Sequence, residues 1–288
     1  MSWIIFSLLT ALFEALKDVL GKKSLETCSE YIVAWALRLF AIPFLLPLLF
    51  LIDPGTIQDG TRFGLALLAG GTFNIITTIL YMKAIKASDL SITAPMLTFT
   101  PLFLLLTSPI LLGEFPPLSG ILGILLIVSG SYLLHLKESK KGLLAPFKAL
   151  ITEKGPRLML VVALIWSVNA NVDKIGIQSS SIVIWPIAIY TFVIIGMIPV
   201  IWFFSRDDIS QLWKNKKTLF PMGFIDSLKA LCQSAALQLA LVAYVISIKR
   251  TSAILCVLFG VLFFKERGLK ERLVGAVVMV LGVLLITL

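Results

Sequence analysis

Lys249 and Arg250 stand side by side in an otherwise apolar stretch, AYVISIKRTSAILCVLFGVLFFKER, from Ala243 to Arg267. A cation at the middle of a lipid-facing helix costs about 2.5 to 3.5 kcal/mol on insertion scales. Two adjacent cations there must meet a partner or a water-filled cavity. Other ionisable residues raise the same question. Glu14, Lys17 and Asp18 are three or four positions apart, so one side of a helix can carry all three. Asn169 and Asp173 repeat the four-residue spacing. A carboxylate in a partly dry cavity can exchange protons near neutral pH, as a proton-coupled carrier needs, which makes Glu14, Asp18 and Asp173 the proton-coupling candidates. The plainer readings are a salt bridge between Glu14 and Lys17 and an interfacial place for Asp18 near its helix end. Arg38 lies between Trp35 and Pro43, either facing a cavity or snorkelling to the interface. Asp226 and Lys229 have ion-pair spacing and can still line a cavity. Asn74 and Gln233 supply uncharged hydrogen-bonding groups, for a solute or for a neighbouring helix.

These residues need membrane helices to hold them. The chain has 288 residues, 58% hydrophobic and 14% charged, with mean hydropathy +0.99. A soluble domain is about a quarter charged. The composition therefore predicts an all-α integral membrane protein. Stretches long enough to cross about 30 Å of hydrocarbon recur along the chain. Ten spans are expected, at 3–20, 31–52, 63–87, 92–112, 118–136, 158–177, 182–204, 219–239, 241–264 and 273–288. The first is expected to be retained and not cleaved, since it lacks a basic leader and carries acids in its apolar run. Three cysteines and one histidine, His135, support neither a disulfide framework nor a metal site, and no cofactor is called for.

The two halves resemble each other. A shift of 152 residues sets Glu114 over Glu266, Gly123 over Gly275 and Gly130 over Gly282. A shift of 155 sets Glu14 over Asn169, Asp18 over Asp173 and Gly21 over Gly176. The expected organisation is a five-helix repeat at 1–136, a basic connecting loop at 137–156 and a second five-helix repeat at 157–288. Five helices per repeat make the two halves inverted, which places a substrate site near the midplane between them. Lys249 has Leu97 as its counterpart and Arg250 has Thr98, so the cationic pair occurs in one half only. Lys and Arg gather in the connections after the odd-numbered spans, among them Lys22, Lys23, Lys137, Lys140, Lys141, Lys214, Lys216, Lys217, Lys265 and Arg267. The positive-inside bias then puts both termini outside the cytoplasm, in a plasma or inner membrane. The net charge of +9 belongs to this bias and to anionic lipid, with no nucleic-acid role.

The duplicated ten-helix pattern, with a Glu closing spans four and nine before a glycine-punctuated span, resembles the drug/metabolite transporter superfamily of the EamA type. The resemblance implies a secondary carrier working by alternating access on a small-molecule substrate. Lys249-Arg250 is similar to the Lys-Arg pair of plastid phosphate translocators and some nucleotide-sugar transporters. That likeness implies anion binding by a bidentate Arg and a point-charge Lys. With Arg38, Lys229, Asn74 and Gln233 they form the substrate-binding set, favouring an anionic or zwitterionic metabolite. The alternative is an exporter of cationic drugs or amines using Glu14 as a membrane carboxylate. A membrane-embedded enzyme or sensor is the remote one, because neither a catalytic constellation nor an output domain is visible. The partners expected are the solute, the bilayer and, as an open assembly, a second copy of the chain.

Overall fold

A computed structural model describes residues 2–88, 93–136, 145–264 and 269–287, and among them every regular element is a helix. Six segments are long and apolar enough to cross a bilayer: Glu30–Leu51, Gly60–Ala87, Ala94–Leu112, Lys154–Ser179, Ile184–Phe204 and Val242–Phe259. Leu118–Leu134 and Leu273–Thr287 are shorter apolar helices. Large apolar side chains such as Phe50, Ile110 and Phe203 are at least 80% exposed, as lipid-facing residues are and soluble surfaces seldom tolerate in number. The protein is a multi-pass integral membrane protein. Two further helices, Ser2–Leu25 and Lys216–Leu239, have 24 residues each. At 1.5 Å per residue each reaches about 36 Å, and they carry five and four charged residues respectively.

The chain forms two compact units, and neither is a sequence half. The first comprises Ser2–Thr78 and Val172–Leu239, the second Ile79–Asn171 and Ala240–Leu288. Each unit therefore draws on both halves of the sequence.

In the first unit, α1 (Ser2–Leu25) packs on the helix Lys216–Leu239. Its buried face is made of small residues, Ser7, Thr10, Ala11 and Ala15, spaced to lie on one side. Small side chains allow close approach between membrane helices. Next come α2 (Glu30–Leu45) and the short α3 (Leu48–Leu51), separated at Pro47, and then α4 (Gly60–Ala87), of which the part up to Thr78 belongs to this unit. Trp35 of α2 donates its indole N–H to the Ile194 carbonyl at 3.0 Å. Phe44 meets Phe220 and Phe224 at centroid distances of 5.0 and 4.9 Å. Just before α2, Ser29 donates its backbone N–H to Gln211 Oε1, its hydroxyl meets that of Ser205, and Thr27 bonds Asn215.

In the second unit, a 3-10 turn over Ala94–Phe99, with Pro95 near its start, leads into α5 (Thr100–Leu112). Then follow α6 (Leu118–Leu136), α7 (Ala145–Thr152) and α8 (Lys154–Ser179), of which the part up to Asn171 belongs to this unit. The expected connecting loop is thus helical over Ala145–Thr152, where Phe147 packs against Phe99 and Tyr132 and so gives the segment an apolar anchor. Lys137, Lys140 and Lys141 lie outside the described residues. After α9 (Ile184–Phe204), α10 (Ile209–Lys214) and α11 (Lys216–Leu239) of the first unit come α12 (Val242–Lys249), α13 (Ser252–Phe264) and α14 (Leu269–Thr287).

The expected ninth span is therefore two helices, not one. At the break, Thr251 donates its backbone N–H to Ile248 and Ala253 donates to Arg250, bonds of 3-10 spacing. No proline is present there. Instead the Thr251 hydroxyl donates to the Ile248 carbonyl, a local bond that competes with the regular ladder. The residues 152 positions beyond Thr100 and Leu112, the ends of α5, are Ser252 and Phe264, the ends of α13. Helices α6 and α14 pack through reciprocal glycine contacts: a Cβ on Gly123 would lie 2.8 Å from the Gly282 carbonyl oxygen, and one on Gly130 would lie 2.5 Å from that of Gly275. Lys265, Glu266 and Arg267 lie outside the described residues, so Glu114 is the member of its pair whose contact is seen. Its Oε2 accepts the Val242 backbone N–H at 2.8 Å, which caps the start of α12.

Candidate functional site

Inside the first unit the ionisable residues of four helices join in one network. On α1, Lys17 Nζ lies 2.7 Å from Glu14 Oε1 and 3.3 Å from Asp18 Oδ1. From α11, Lys229 Nζ lies 2.5 Å from Asp226 Oδ1 and 3.7 Å from Glu14 Oε2. Glu14 therefore bridges two lysines on two helices. Tyr190 of α9 donates its hydroxyl to Asp226 Oδ2 at 2.6 Å. Arg38 of α2 holds its guanidinium over the Tyr190 ring, 5.9 Å from the centroid, within cation-π range. The order of contacts is Asp18, Lys17, Glu14, Lys229, Asp226, Tyr190, Arg38.

This arrangement explains why α1 and α11, each with charged residues in mid-helix, pack on each other. Charges that face lipid are expensive, and α1 and α11 turn theirs inward to form pairs. The Asp226 side chain is fully buried, with both oxygens engaged, while that of Asp18, at the other end, is half exposed. Burial of charge is tolerated when each ion is paired and hydrogen-bonded, and it is costly when one partner is missing.

Four residues singled out from the sequence, Glu14, Asp18, Arg38 and Lys229, are thus brought together, along with Lys17 and Asp226. Asp173 is engaged differently. Its Oδ1 accepts the Trp185 indole N–H at 3.1 Å, and Trp185 is fixed between Gly176 and the edge-on ring of Phe63. Asn74 donates its amide to the Gly70 carbonyl of its own helix at 2.9 Å. Gln233 stands one turn beyond Lys229 on α11 and is half-buried.

Lys249 and Arg250 belong to the second unit and sit at the break between α12 and α13. Lys249 ends α12, and Arg250 donates Nη2–H to the Thr100 hydroxyl at 2.8 Å. Thr100 in turn donates to the Leu97 carbonyl. The pair is thus held at an irregular turn, the kind of place where membrane helices present backbone and side chains to a cavity. Elsewhere in the same unit, Asn171 donates to Thr107 Oγ1 and the Ser167 carbonyl and accepts from the Ser108 hydroxyl, a buried polar contact between α5 and α8.

Sequence reasoning missed two residues. Tyr190 completes the network, and the signal available was that a tyrosine hydroxyl inside a membrane span must find a partner. Lys174, on α8, is only 7% exposed, and its burial follows from the same rule that pointed to the other intramembrane cations.

Comparison with known proteins gives the fold and the family. A crystal structure of a protein superposes with a TM-score of 0.74 over 100% of this chain and 99% of its own, at 14% identity, so the two share a fold. An uncharacterized transporter from Archaeoglobus fulgidus is 22% identical over 293 residues, spanning 99% of this chain and 98% of that protein. The family model for the EamA-like transporter family matches residues 1–136 and again 154–288. Matched over almost its whole length, the chain belongs to the EamA-like transporter family and is a membrane transporter.

Proposed function

We propose that the protein is a secondary active transporter of a small anionic or zwitterionic metabolite, working by alternating access. The observation that carries the choice of substrate is the state of the acids. Glu14, Asp18 and Asp226 are each in contact with a lysine, so none of the three is held open for a cationic solute. This favours the anionic or zwitterionic solute over a cationic drug. Lys249 and Arg250, on their irregular turn, are the cationic candidates of the second unit, and Asn74 and Gln233 are the uncharged candidates of the first. Proton coupling would fall to the membrane carboxylates Glu14, Asp18 and Asp173, with Asp18 favoured by its exposure.

An inverted pair of five-helix repeats, ten spans in all, is the architecture we infer. It is supported by the common 152-residue offset of α5 and α13 and by the reciprocal glycine contacts of α6 and α14, the pattern a two-fold relation produces. The orientation inferred from the basic connections has both termini outside the cytoplasm, in a plasma or inner membrane.

The test is uptake by purified protein in liposomes under imposed solute and proton gradients. Movement of a carboxylate or zwitterion is expected, driven by its own gradient and altered by the proton gradient. The absence of movement of any anionic, zwitterionic or cationic solute would remove the carrier function. Replacing Lys249 and Arg250 by Gln separates the two substrate classes, since an anion carrier loses binding and a cation exporter keeps it.

A further inference from the structure

The three acids of the network are shared between two lysines, and this leaves Arg38 in a distinct position. Among the described residues no carboxylate makes a salt bridge with its guanidinium. Its contacts are the face of Tyr190 and a long, 3.4 Å hydrogen bond from Nη1 to the Ala34 carbonyl one turn back. A guanidinium has five N–H donors in a planar fork that matches a carboxylate, and most of this fork is uncommitted. The residue is partly buried, so it is sheltered without being sealed.

The protein fixes the stretch of α2 that carries this guanidinium on both sides of Arg38. One turn before Arg38, Trp35 ties α2 to the Ile194 carbonyl, one turn beyond Tyr190 on α9. Two residues after it, the backbone of Phe40 lies against Gly223 of α11, one turn before Asp226. Tyr190, beneath the guanidinium, is itself fixed by Asp226, and Asp226 by Lys229. A group so supported is preorganised to receive an anion, which lowers the cost of binding.

We propose that Arg38, seated on Tyr190, is the site that takes the single carboxylate of the transported solute. This rests on the carrier function proposed above and narrows its substrate class. Charge counting selects the class. Glu14, Asp18 and Asp226 carry three negative charges, and Lys17, Lys229 and Arg38 carry three positive ones. The network is neutral before the solute enters. A zwitterion adds no net charge, and a monocarboxylate adds one, which a single proton offsets. A phosphate monoester adds about two charges near neutral pH, and Lys17 and Lys229, the lysines of this network, are already committed to acids. Tyr190 is a positioning residue here, acting through the guanidinium it carries.

The experiment uses the full-length protein in detergent and in liposomes, with acetate, L-lactate and L-alanine as carboxylate probes and glucose 6-phosphate as the phosphate probe. Phenylglyoxal labels arginines, and the adduct at Arg38 is followed by peptide mass spectrometry. At least one carboxylate probe is expected to slow labelling of Arg38 several-fold, and glucose 6-phosphate is not. Replacement by Gln should weaken binding of the protecting probe by about 10- to 100-fold, the usual effect of losing a charged hydrogen bond, while Arg38→Lys keeps part of it. Tyr190→Phe keeps the ring beneath the guanidinium but frees it from Asp226, and should weaken binding less than Arg38→Gln does. Should Arg38→Gln fail to fold, the labelling of the wild-type protein still decides. Labelling unaffected by every carboxylate, or slowed equally by the phosphate ester, overturns the assignment. Transport of a carboxylate that is equal in wild type and Arg38→Gln removes Arg38 but leaves the carrier function standing, whereas a wild type that transports no solute removes both.

Discussion

Gly223 of α11 is pressed against Phe40 of α2, and a Cβ built on Gly223 would lie 2.5 Å from the Phe40 carbonyl carbon. Ordinary contact between carbons is about 3.5 to 4.0 Å, so even alanine must push the two backbones apart. The junction lies between Arg38 and Asp226 in the sense that each is within one turn of it, and displacement there moves the guanidinium away from its support. Gly223→Ala should cost about 1 to 3 kcal/mol by overpacking and should weaken carboxylate binding as well. Gly64 of α4 has nothing within 4 Å of a built Cβ, so Gly64→Ala should be neutral or slightly stabilising. Thermal unfolding in detergent for both variants, with equal melting temperatures, would show that the close approach has no energetic consequence.

Asp226 and Lys229 make a buried pair in which Asp226 is fully shielded from solvent. Removing one partner of such a pair costs about 3 to 5 kcal/mol, because the other is left buried and uncompensated. Asp226→Asn and Lys229→Gln should each be strongly destabilising, and the double variant should be less destabilised than the sum. Glu14 modifies the comparison, since Lys229 also lies 3.7 Å from its Oε2. Lys229→Gln therefore strips a partner from two acids and should be the worse single change. Denaturation midpoints of the three variants test this through a double-mutant cycle, in which strict additivity would mean that the pair is not coupled.

Much of this network was legible in the sequence and its closure was not. The spacing of Glu14, Lys17 and Asp18 fixed their shared face, and Asp226 with Lys229 had ion-pair spacing, because local helical geometry follows from residue number alone. That Lys229 reaches Glu14, more than 200 positions away, depends on which helices pack, and no single-sequence periodicity reports that. Tyr190 escaped because a phenol does not stand out among membrane aromatics as a charge does. The interruption of the ninth span also went unread. The fourth expected span, 92–112, carries Pro95 and Pro101, which permit bending, whereas α12 and α13 are divided at Thr251 without a proline, beside hydroxyl bonds from Ser247 to the Ala243 carbonyl and from Thr251 to the Ile248 carbonyl. The short helix within the connection after the fifth span went unread for a related reason, since Phe147 can anchor it only when Phe99 and Tyr132 are in place.

Glu114 acts at a distance of 128 residues as the acceptor for the Val242 N–H, where Leu241 offers no side-chain cap. A carboxylate at a helix N-terminus satisfies an orphan donor and meets the positive end of the dipole. Glu114→Ala should destabilise α12 by about 0.5 to 2 kcal/mol, the usual cost of losing a cap. Glu114→Gln keeps an acceptor oxygen and should recover part of it. Hydrogen exchange at Val242 reports directly, with faster exchange expected in the Ala variant and an intermediate rate in the Gln variant. Unchanged exchange in both would mean that α12 starts independently of Glu114.

Cys28 gives a pH-dependent readout of the junction between α1 and α2. The residue is 7% exposed, and burial pushes its thiol above the usual range, with a weak contact from the Thr27 hydroxyl acting the other way. The thiolate is the species that alkylating reagents attack, so the native protein should label slowly at neutral pH. Its rate should keep rising above about pH 8.5, where an ordinary thiol approaches saturation. Because the folded thiol ionises later than the unfolded one, its contribution to stability is complete below the unfolded pKa and is lost as pH rises through the folded value. The neighbouring Thr27 hydroxyl donates to Asn215 Oδ1 at 2.9 Å and helps close this junction. Asn215→Ala should therefore open it and increase the labelling rate of Cys28 several-fold, measured by peptide mass spectrometry against the denatured chain. A native Cys28 that labels as fast as the denatured one at pH 7.5 would show that the junction is open, and the Ser29 contacts to Gln211 and Ser205 would then not hold it shut.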